Sequence, residues 1–293
     1  GGTNAPAIVC EPPSGNAEPT ARTFLVEDTR RPRLLPLSAA TGQALRAHAA
    51  QLSPCIDAQA LGDQAYTLAR RRAHLPERAV ALVSNAEELV SELRAIAEQQ
   101  PSEHHVLGRA SSERKLLWVF TGMGPQWWAM GQELCEREPA FRSAVQSADQ
   151  AFERAAGWSV LREMQRGESD SRMRSNAIAQ PANFVLQVGL VSMLRALGVP
   201  AHGLLGHSVG ELGAAWAAGC LSLEQAAYVA YHRSRLQQTV AGQGTMLATA
   251  LSPSEARRLL AGRPEVSIAA LNAPKSVTLA GTHEALASLA TEL

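Results

Sequence analysis

The segment Gly206-His207-Ser208-Val209-Gly210-Glu211 constrains what this chain can fold into more than any other stretch. It follows the short apolar run His202-Gly203-Leu204-Leu205 and opens the helix-compatible run Leu212-Gly213-Ala214-Ala215-Trp216-Ala217-Ala218. A serine with a glycine two residues away on each side, set between a strand and a helix, reads as a nucleophile elbow. Only glycine fits where backbones crowd in so tight a turn, and the turn carries the serine Oγ to its tip. The helix that follows directs its first amides at the place where an oxyanion would form. The pattern predicts acyl-enzyme chemistry at Ser208.

The surroundings of the elbow predict an α/β layout with a parallel sheet. A strand over 115–120 runs into the glycine-bearing loop Thr121-Gly122-Met123-Gly124-Pro125-Gln126, and helical patterns fill 127–136, 139–155, 181–197 and 222–238. Pro139 and Pro181 are expected in first helical turns, where no amide partner is lost. From residue 245 the order becomes β-α-β-β-α, with strands at 245–251, 266–271 and 276–280 and helices at 253–260 and 284–293. Those are five elements of a ferredoxin-like split βαβ unit, whose sixth, a strand, is expected beyond Leu293. Ahead of the parallel sheet, strands at 34–38 and 79–84 and helices at 41–52, 63–72 and 86–99 form a small αβ unit. Residues 101–114 are polar and aperiodic and read as a connector, as does the Pro-, Glu-, Thr- and Arg-rich stretch at 11–33.

Composition excludes more than it selects. The 293 residues are 46% hydrophobic and 18% charged, which suffices for two or more globular domains. Lys+Arg and Asp+Glu both number 27, so no basic face for nucleic acid is expected, and 4% aromatics argue against a base-stacking platform. Cys10, Cys55, Cys135 and Cys220 are scattered without a CxxC, so no metal site is expected. No apolar run approaches the roughly 18–20 residues of a membrane helix and no signal peptide is visible, so a cytoplasmic protein without a membrane partner is expected. The chain opens on Gly1, which reads as the interior of something longer.

An elbow serine needs a base and an oxyanion hole. The Gly122-Met123-Gly124 loop could place a second backbone N–H beside that of Val209, or could be a plain tight turn. His207 adjoins Ser208 on the elbow and reads as a packing residue. His232 and His283 are the only later histidines, and no aspartate follows Ser208. Arg233, in a largely apolar helix, could hold a carboxylate or be a solvated charge; both readings stand at this point. Gln180 and Asn272 are ordinary cap or turn residues when taken singly. Three functions remain open on these residues: an acyltransferase, an α/β-hydrolase-type esterase or thioesterase that would need an acid and a histidine downstream, and a non-catalytic structural or docking piece.

The combination resembles a known family. The stretch from Phe120 to Trp127, then Ala179-Gln180-Pro181, the elbow, Arg233, Leu271-Asn272-Ala273-Pro274 and the run at 277–281 resemble, in order and spacing, the acyltransferase domain of type I polyketide and fatty acid synthases. Residues 34–100 resemble the αβ linker domain between ketosynthase and acyltransferase, and 1–12 the end of the ketosynthase, with 13–33 and 101–114 as connectors. The resemblance implies a parallel-sheet large subdomain over 115–242 and an incomplete ferredoxin-like small subdomain over 243–293. It implies that Ser208 takes a malonyl-type unit from coenzyme A and passes it to the phosphopantetheine thiol of an acyl carrier protein. Met123 and Val209 would supply the oxyanion-hole amides, Arg233 would bind the extender carboxylate, and Gln180 and Asn272 would line the site. Val209 after the serine is similar to malonyl-selective members. No cofactor bound by this segment is implied; the partners are the carrier protein, the ketosynthase and other domains of the same megasynthase. The family's histidine falls beyond the small subdomain, so the segment alone is expected to be inactive or severely impaired, with its large-subdomain core partly open.

Overall fold

In the computed structural model, which describes residues 32–58, 60–111 and 115–293, the first element is a strand that alternates between two faces. The expected ketosynthase end at 1–12 lies outside the described residues, as does the connector at 13–33 up to residue 31. Strand β1 (Arg33–Ala39) buries Leu35, Leu37 and Ala39 and pairs antiparallel with β2 (Glu77–Val83), Leu35 opposite Ala81 and Leu37 opposite Ala79. Helices α1 (Gly42–Leu52), α2 (Leu61–Arg70) and α3 (Ala86–Glu98) supply Leu45, Leu61, Leu68, Leu89, Leu93 and Ile96 to the same core. The start of α3 is fixed reciprocally: Asn85 Oδ1 accepts from the Glu88 N–H, and the Glu88 carboxylate accepts from the Ser84 N–H at 2.7 Å.

The stretch at 101–114 is more than a connector. It contains strand β3 (His105–Arg109), which pairs antiparallel with β2 and completes a sheet ordered β1-β2-β3. Its one buried residue is polar, so the apolar alternation that marks a strand is missing. His105 Nδ1 lies 2.6 Å from Glu92 Oε2, and Ser102 Oγ donates to Glu92 Oε1 at 3.0 Å, so the buried carboxylate of α3 is satisfied by the strand and the turn before it.

Residues 115–293 form a separate unit. Strands β4 (Leu117–Phe120) and β5 (Gly203–Gly206) pair in parallel, Phe120 opposite Gly206, so the loops that leave them emerge side by side. Leu117, Val119 and Leu205 of this pair are exposed. Helices α4 (Gln132–Arg137), α5 (Pro139–Ala156), α6 (Val160–Met164), α7 (Asn176–Ala196), α8 (Gly210–Ala217) and α9 (Leu223–Thr239) fill out the layer. Its core is Phe141, Val145 and Phe152 of α5 against Phe184 and Val188 of α7 and Ala226, Ala227 and Ala230 of α9.

Two expectations about α7 are corrected. The helix starts at Asn176, so Pro181 sits in its second turn and not its first. Burial of Ile178 and Ala179 draws the preceding residues into the helix, which outweighs the one amide donor that proline lacks. By length and composition α7 could also cross a membrane, contrary to the expectation that no run was long enough; here 67% of its most apolar window is buried inside the protein, as in a core helix.

A buried carboxylate fastens the entry to α7. Glu163 of α6, 8% exposed, accepts from Arg172 Nε at 2.8 Å and lies 2.8 Å from Arg166 Nε. The Arg172 hydrogen bond, and after it that of Arg166, holds the carboxyl below the usual glutamate range against the opposing effect of burial. A depressed folded pKa stabilises above the unfolded value of about 4.3, and that stabilisation fades as pH falls through the folded value. Glu163→Gln is therefore expected to lower stability by about 1–2 kcal/mol near neutral pH. Chemical denaturation at several pH values should show the difference from wild type closing in acid; a pH-independent difference would contradict the account.

From residue 245 the expected order appears: β6 (Thr245–Thr249), α10 (Pro253–Leu259), β7 (Val266–Ala273), β8 (Ser276–Gly281) and α11 (His283–Glu292). The sheet is antiparallel in the order β6-β8-β7, and Val277 and Leu279 of its central strand pack on Ala256, Leu286 and Leu289. The α/β class, with a parallel pair carrying the elbow and a ferredoxin-like antiparallel unit, matches the sequence expectation.

Candidate active site

The elbow is built by close backbone contact. His207 N–H donates to the Phe120 carbonyl at 3.0 Å, tying the turn after β5 to the end of β4. A Cβ on Gly210 would lie 2.1 Å from that same carbonyl oxygen, and one on Gly206 would lie 2.3 Å from Glu211 Cα. Neither neighbour is a movable side chain, so both positions admit glycine alone. Between them Ser208 takes φ +54°, a left-handed conformation shared among the described non-glycine residues only by Gln99. Such a backbone persists only where its surroundings over-determine it, which the two crowded glycines do. Ser208 is exposed, whereas Val209 beside it is buried.

Two backbone donors near Ser208 are unengaged. The Gly210, Glu211 and Leu212 amides bond back to the carbonyls of residues 207, 208 and 209. The Val209 N–H, at the N-terminus of α8, makes no hydrogen bond among the described residues, and neither does the Met123 N–H. The loop that carries Met123 abuts the elbow: a Cβ on Gly122 would sit 3.2 Å from Ser208 Cβ. This loop is held from below by Gln187 of α7, whose Nε2 donates to the Thr121 carbonyl at 2.9 Å, and from within by Gln126, whose Oε1 accepts from the Gly124 N–H at 2.7 Å.

Arg233, nearly three turns into α9 and half-buried, reaches the same point. Its Nη2 donates to Ser208 Oγ at 3.3 Å, and its Nη1 donates to Oε1 of Gln180, a fully buried residue of α7. Burial draws the guanidinium below its ordinary range, and the negative charge of Glu211 pulls the other way. The structure thus brings Ser208, Arg233 and Gln180 into one hydrogen-bonded group, with the Met123 loop against the elbow. Asn272, on β7, donates to Thr278 Oγ1 at 2.9 Å, and none of its hydrogen bonds reaches that group.

No histidine among the described residues hydrogen-bonds to Ser208, whose Oγ has Arg233 as its one partner there. The His207 ring lies against Gly122; His232 packs on the Tyr228 and Tyr231 rings at 4.2 and 4.8 Å; His283 opens α11. No group of three or more His, Cys, Asp or Glu side chains able to hold a metal occurs among the described residues. Two residues of the site carried no sequence signal that drew attention: Gln187, a polar residue seven positions after Gln180 on an apolar helix, and Gln237, one turn beyond Arg233, whose Oε1 accepts from Gln180 Nε2.

A serine in left-handed backbone between a parallel strand and a helix, with unengaged amides beside it and an antiparallel unit following, defines an α/β protein with an elbow serine. Comparison with known proteins takes this further: the chain belongs to the acyl transferase domain family, whose model matches residues 117–293. The model for the CurL-like C-terminal region of polyketide synthases matches residues 33–93. The chain is 35% identical over 297 residues to polyketide synthase GfsA of Streptomyces halstedii, covering 100% of this chain and 4% of that one. It is similar to the solved acyltransferase domain from module 8 of the salinomycin polyketide synthase, at 30% identity and TM-score 0.81, covering 89% of this chain and 63% of that one. It is also similar to the acyl transferase domain of SpnD in complex with 2-(pent-4-yn-1-yl)malonyl, at 27% identity and TM-score 0.73, covering 90% and 62%. The chain therefore spans under two thirds of either solved domain and a small part of the synthase.

Proposed function

We propose that this chain provides the nucleophile and the carboxylate-binding half of a malonyl-type acyltransferase within a type I polyketide synthase. The observation that carries the reading is the Arg233 guanidinium held 3.3 Å from Ser208 Oγ. A half-buried cation beside a nucleophile suits an acyl group that bears its own negative charge, because a buried carboxylate needs pairing. The SpnD domain, solved with a substituted malonyl group, supports the same substrate class.

In this reading Ser208 Oγ attacks the thioester carbonyl of malonyl-CoA while the Oγ proton passes to a base. The carbonyl oxygen takes the negative charge and accepts hydrogen bonds from the Val209 and Met123 N–H groups. Collapse breaks the C–S bond, releases coenzyme A as the protonated thiol, and leaves malonyl-Ser208. The phosphopantetheine thiol of a carrier protein then attacks the ester, its proton returns through the base to Ser208, and the malonyl thioester departs. Gln180 steadies Arg233, and Asn272 is a site-lining residue supported by family resemblance alone. No described histidine is placed to be the base. We read residues 34–100 as the linker domain that joins such an acyltransferase to its ketosynthase, the partner implied together with the carrier protein.

The test is adduct mapping on the full-length polypeptide that carries this chain. Brief exposure to malonyl-CoA followed by peptide mass spectrometry should place a malonyl group on the peptide containing Ser208. A malonyl group found on another residue, with the Ser208 peptide unmodified, would overturn the assignment.

A further inference from the structure

The Arg233 guanidinium rests on carboxamides and not on a carboxylate. Nη1 donates to Gln180 Oε1 and, more distantly, to Gln237 Oε1 at 3.4 Å. Gln180 Nε2 donates to the same Gln237 oxygen, closing a three-membered polar ring. A guanidinium has donors only, so it dictates which end of each amide faces it; the Gln237 oxygen, which takes two donors, then fixes the Gln180 amide in turn. Gln180 is fully buried, whereas Gln237 lies on the exposed side of α9, one turn from Arg233. Among the described residues no carboxylate pairs with Arg233, and Glu211 acts on it through space.

Proteins usually hold a half-buried arginine with Asp or Glu, through shorter and stronger charge-assisted bonds. Here that solution would neutralise the cation and place a negative charge where an incoming carboxylate must sit. Two neutral amides orient the guanidinium and leave its charge available. We propose that Gln237 is a specificity-determining positioning residue: with Gln180 it aims Arg233 while keeping it un-neutralised, so that acyl groups bearing a carboxylate are preferred over neutral ones. This rests on the reading of Ser208 and Arg233 as a malonyl-loading site.

Q237E tests it with little change of shape, since the carboxylate can still accept from Gln180 and Arg233. Steady-state loading of malonyl-CoA and acetyl-CoA is measured on the full-length polypeptide for wild type, Q237E, Q237L and, as a control of the underlying reading, R233A, with melting temperatures recorded for each. Q237E is expected to lower malonyl kcat/KM by about tenfold or more, chiefly through KM, while acetyl loading holds or rises, because like charges are brought together only when the substrate carries one. Q237L, which leaves Gln180 Nε2 without its acceptor and adds no charge, should lower malonyl loading by a smaller factor and shift the malonyl-to-acetyl ratio less than Q237E. A ratio unchanged in Q237E, or an equal loss of both substrates in a variant that melts like wild type, overturns the proposal. If R233A still shifts the ratio in that case, the carboxylate reading survives and only the role of Gln237 falls. If R233A leaves the ratio unchanged too, the reading itself is wrong. Should Q237E not fold, Q237L decides: a shift toward acetyl supports the holder role, and no shift overturns it.

Discussion

Ser208→Ala is expected to abolish loading of malonate onto the full-length polypeptide, lowering the rate on the order of 10⁴-fold or more. The elbow fixes one side chain at the tip of a turn whose flanking glycines cannot be replaced without backbone overlap, so no neighbouring hydroxyl can take its place. His207 before it and Val209 after it carry no usable nucleophile for a stable ester, and Val209 is buried. Ala tolerates φ +54° no better than Ser, so the variant should melt near the wild-type temperature. Ser208→Gly should be equally inactive yet more stable by about 1 kcal/mol, since glycine relieves the left-handed strain at its own expense in chain entropy. Loading is followed with labelled malonyl-CoA and stability by thermal melting. Substantial labelling of Ser208→Ala would remove this serine from the reaction. A Ser208→Gly variant less stable than wild type would contradict the strain account.

The elbow was legible in the sequence because its constraint is local. Gly206 and Gly210 are demanded by atoms four or five residues away in the turn itself and by the strand next to it, so the spacing alone carries the information. The Ser208–Arg233 contact was not, because it depends on how α9 folds back after α8; the sequence left Arg233 open between ligand and solvated charge. Gln237 was invisible for the same reason one turn further on, since its meaning comes from what Arg233 and Gln180 do. Strand β3 was missed because its buried anchor is His105, paired with Glu92, and polar burial leaves no apolar period. The start of α7 was misjudged through Pro181: proline propensity favours a first turn, but Ile178 and Ala179 are buried ahead of it, and tertiary packing prevailed. Local sterics were thus readable, whereas side chains brought together across elements were readable only by resemblance to a family.

Arg233→Ala should separate substrates where Ser208→Ala silences all of them. Removing the guanidinium deletes the Nη2 contact to Ser208 and the Nη1 contact to Gln180, and leaves Gln180 Oε1, in a fully buried residue, with a lost donor. For malonyl-CoA the loss includes a charge-assisted and partly desolvated ion pair, so kcat/KM is expected to fall by about 10²-fold or more, consistent with removal of one partner of such a pair. For acetyl-CoA there is no carboxylate to lose, and removal of an unpaired cation takes away only a desolvated charge that the neutral acyl group never used; its loading should hold or rise. Burial already draws Arg233 below its ordinary range, so the site carries the cost of a cation without a counter-charge before substrate arrives; removing that cost offsets the donor lost by Gln180 Oε1, and Arg233→Ala should change stability little. Competition between malonyl-CoA and acetyl-CoA for one polypeptide, read by the mass of the acyl-enzyme, makes the ratio independent of the fraction of active protein. A malonyl-to-acetyl ratio in Arg233→Ala equal to that of wild type would show that the cation beside Ser208 does not select the charged acyl group, and the 3.3 Å contact would then serve the serine and not the substrate.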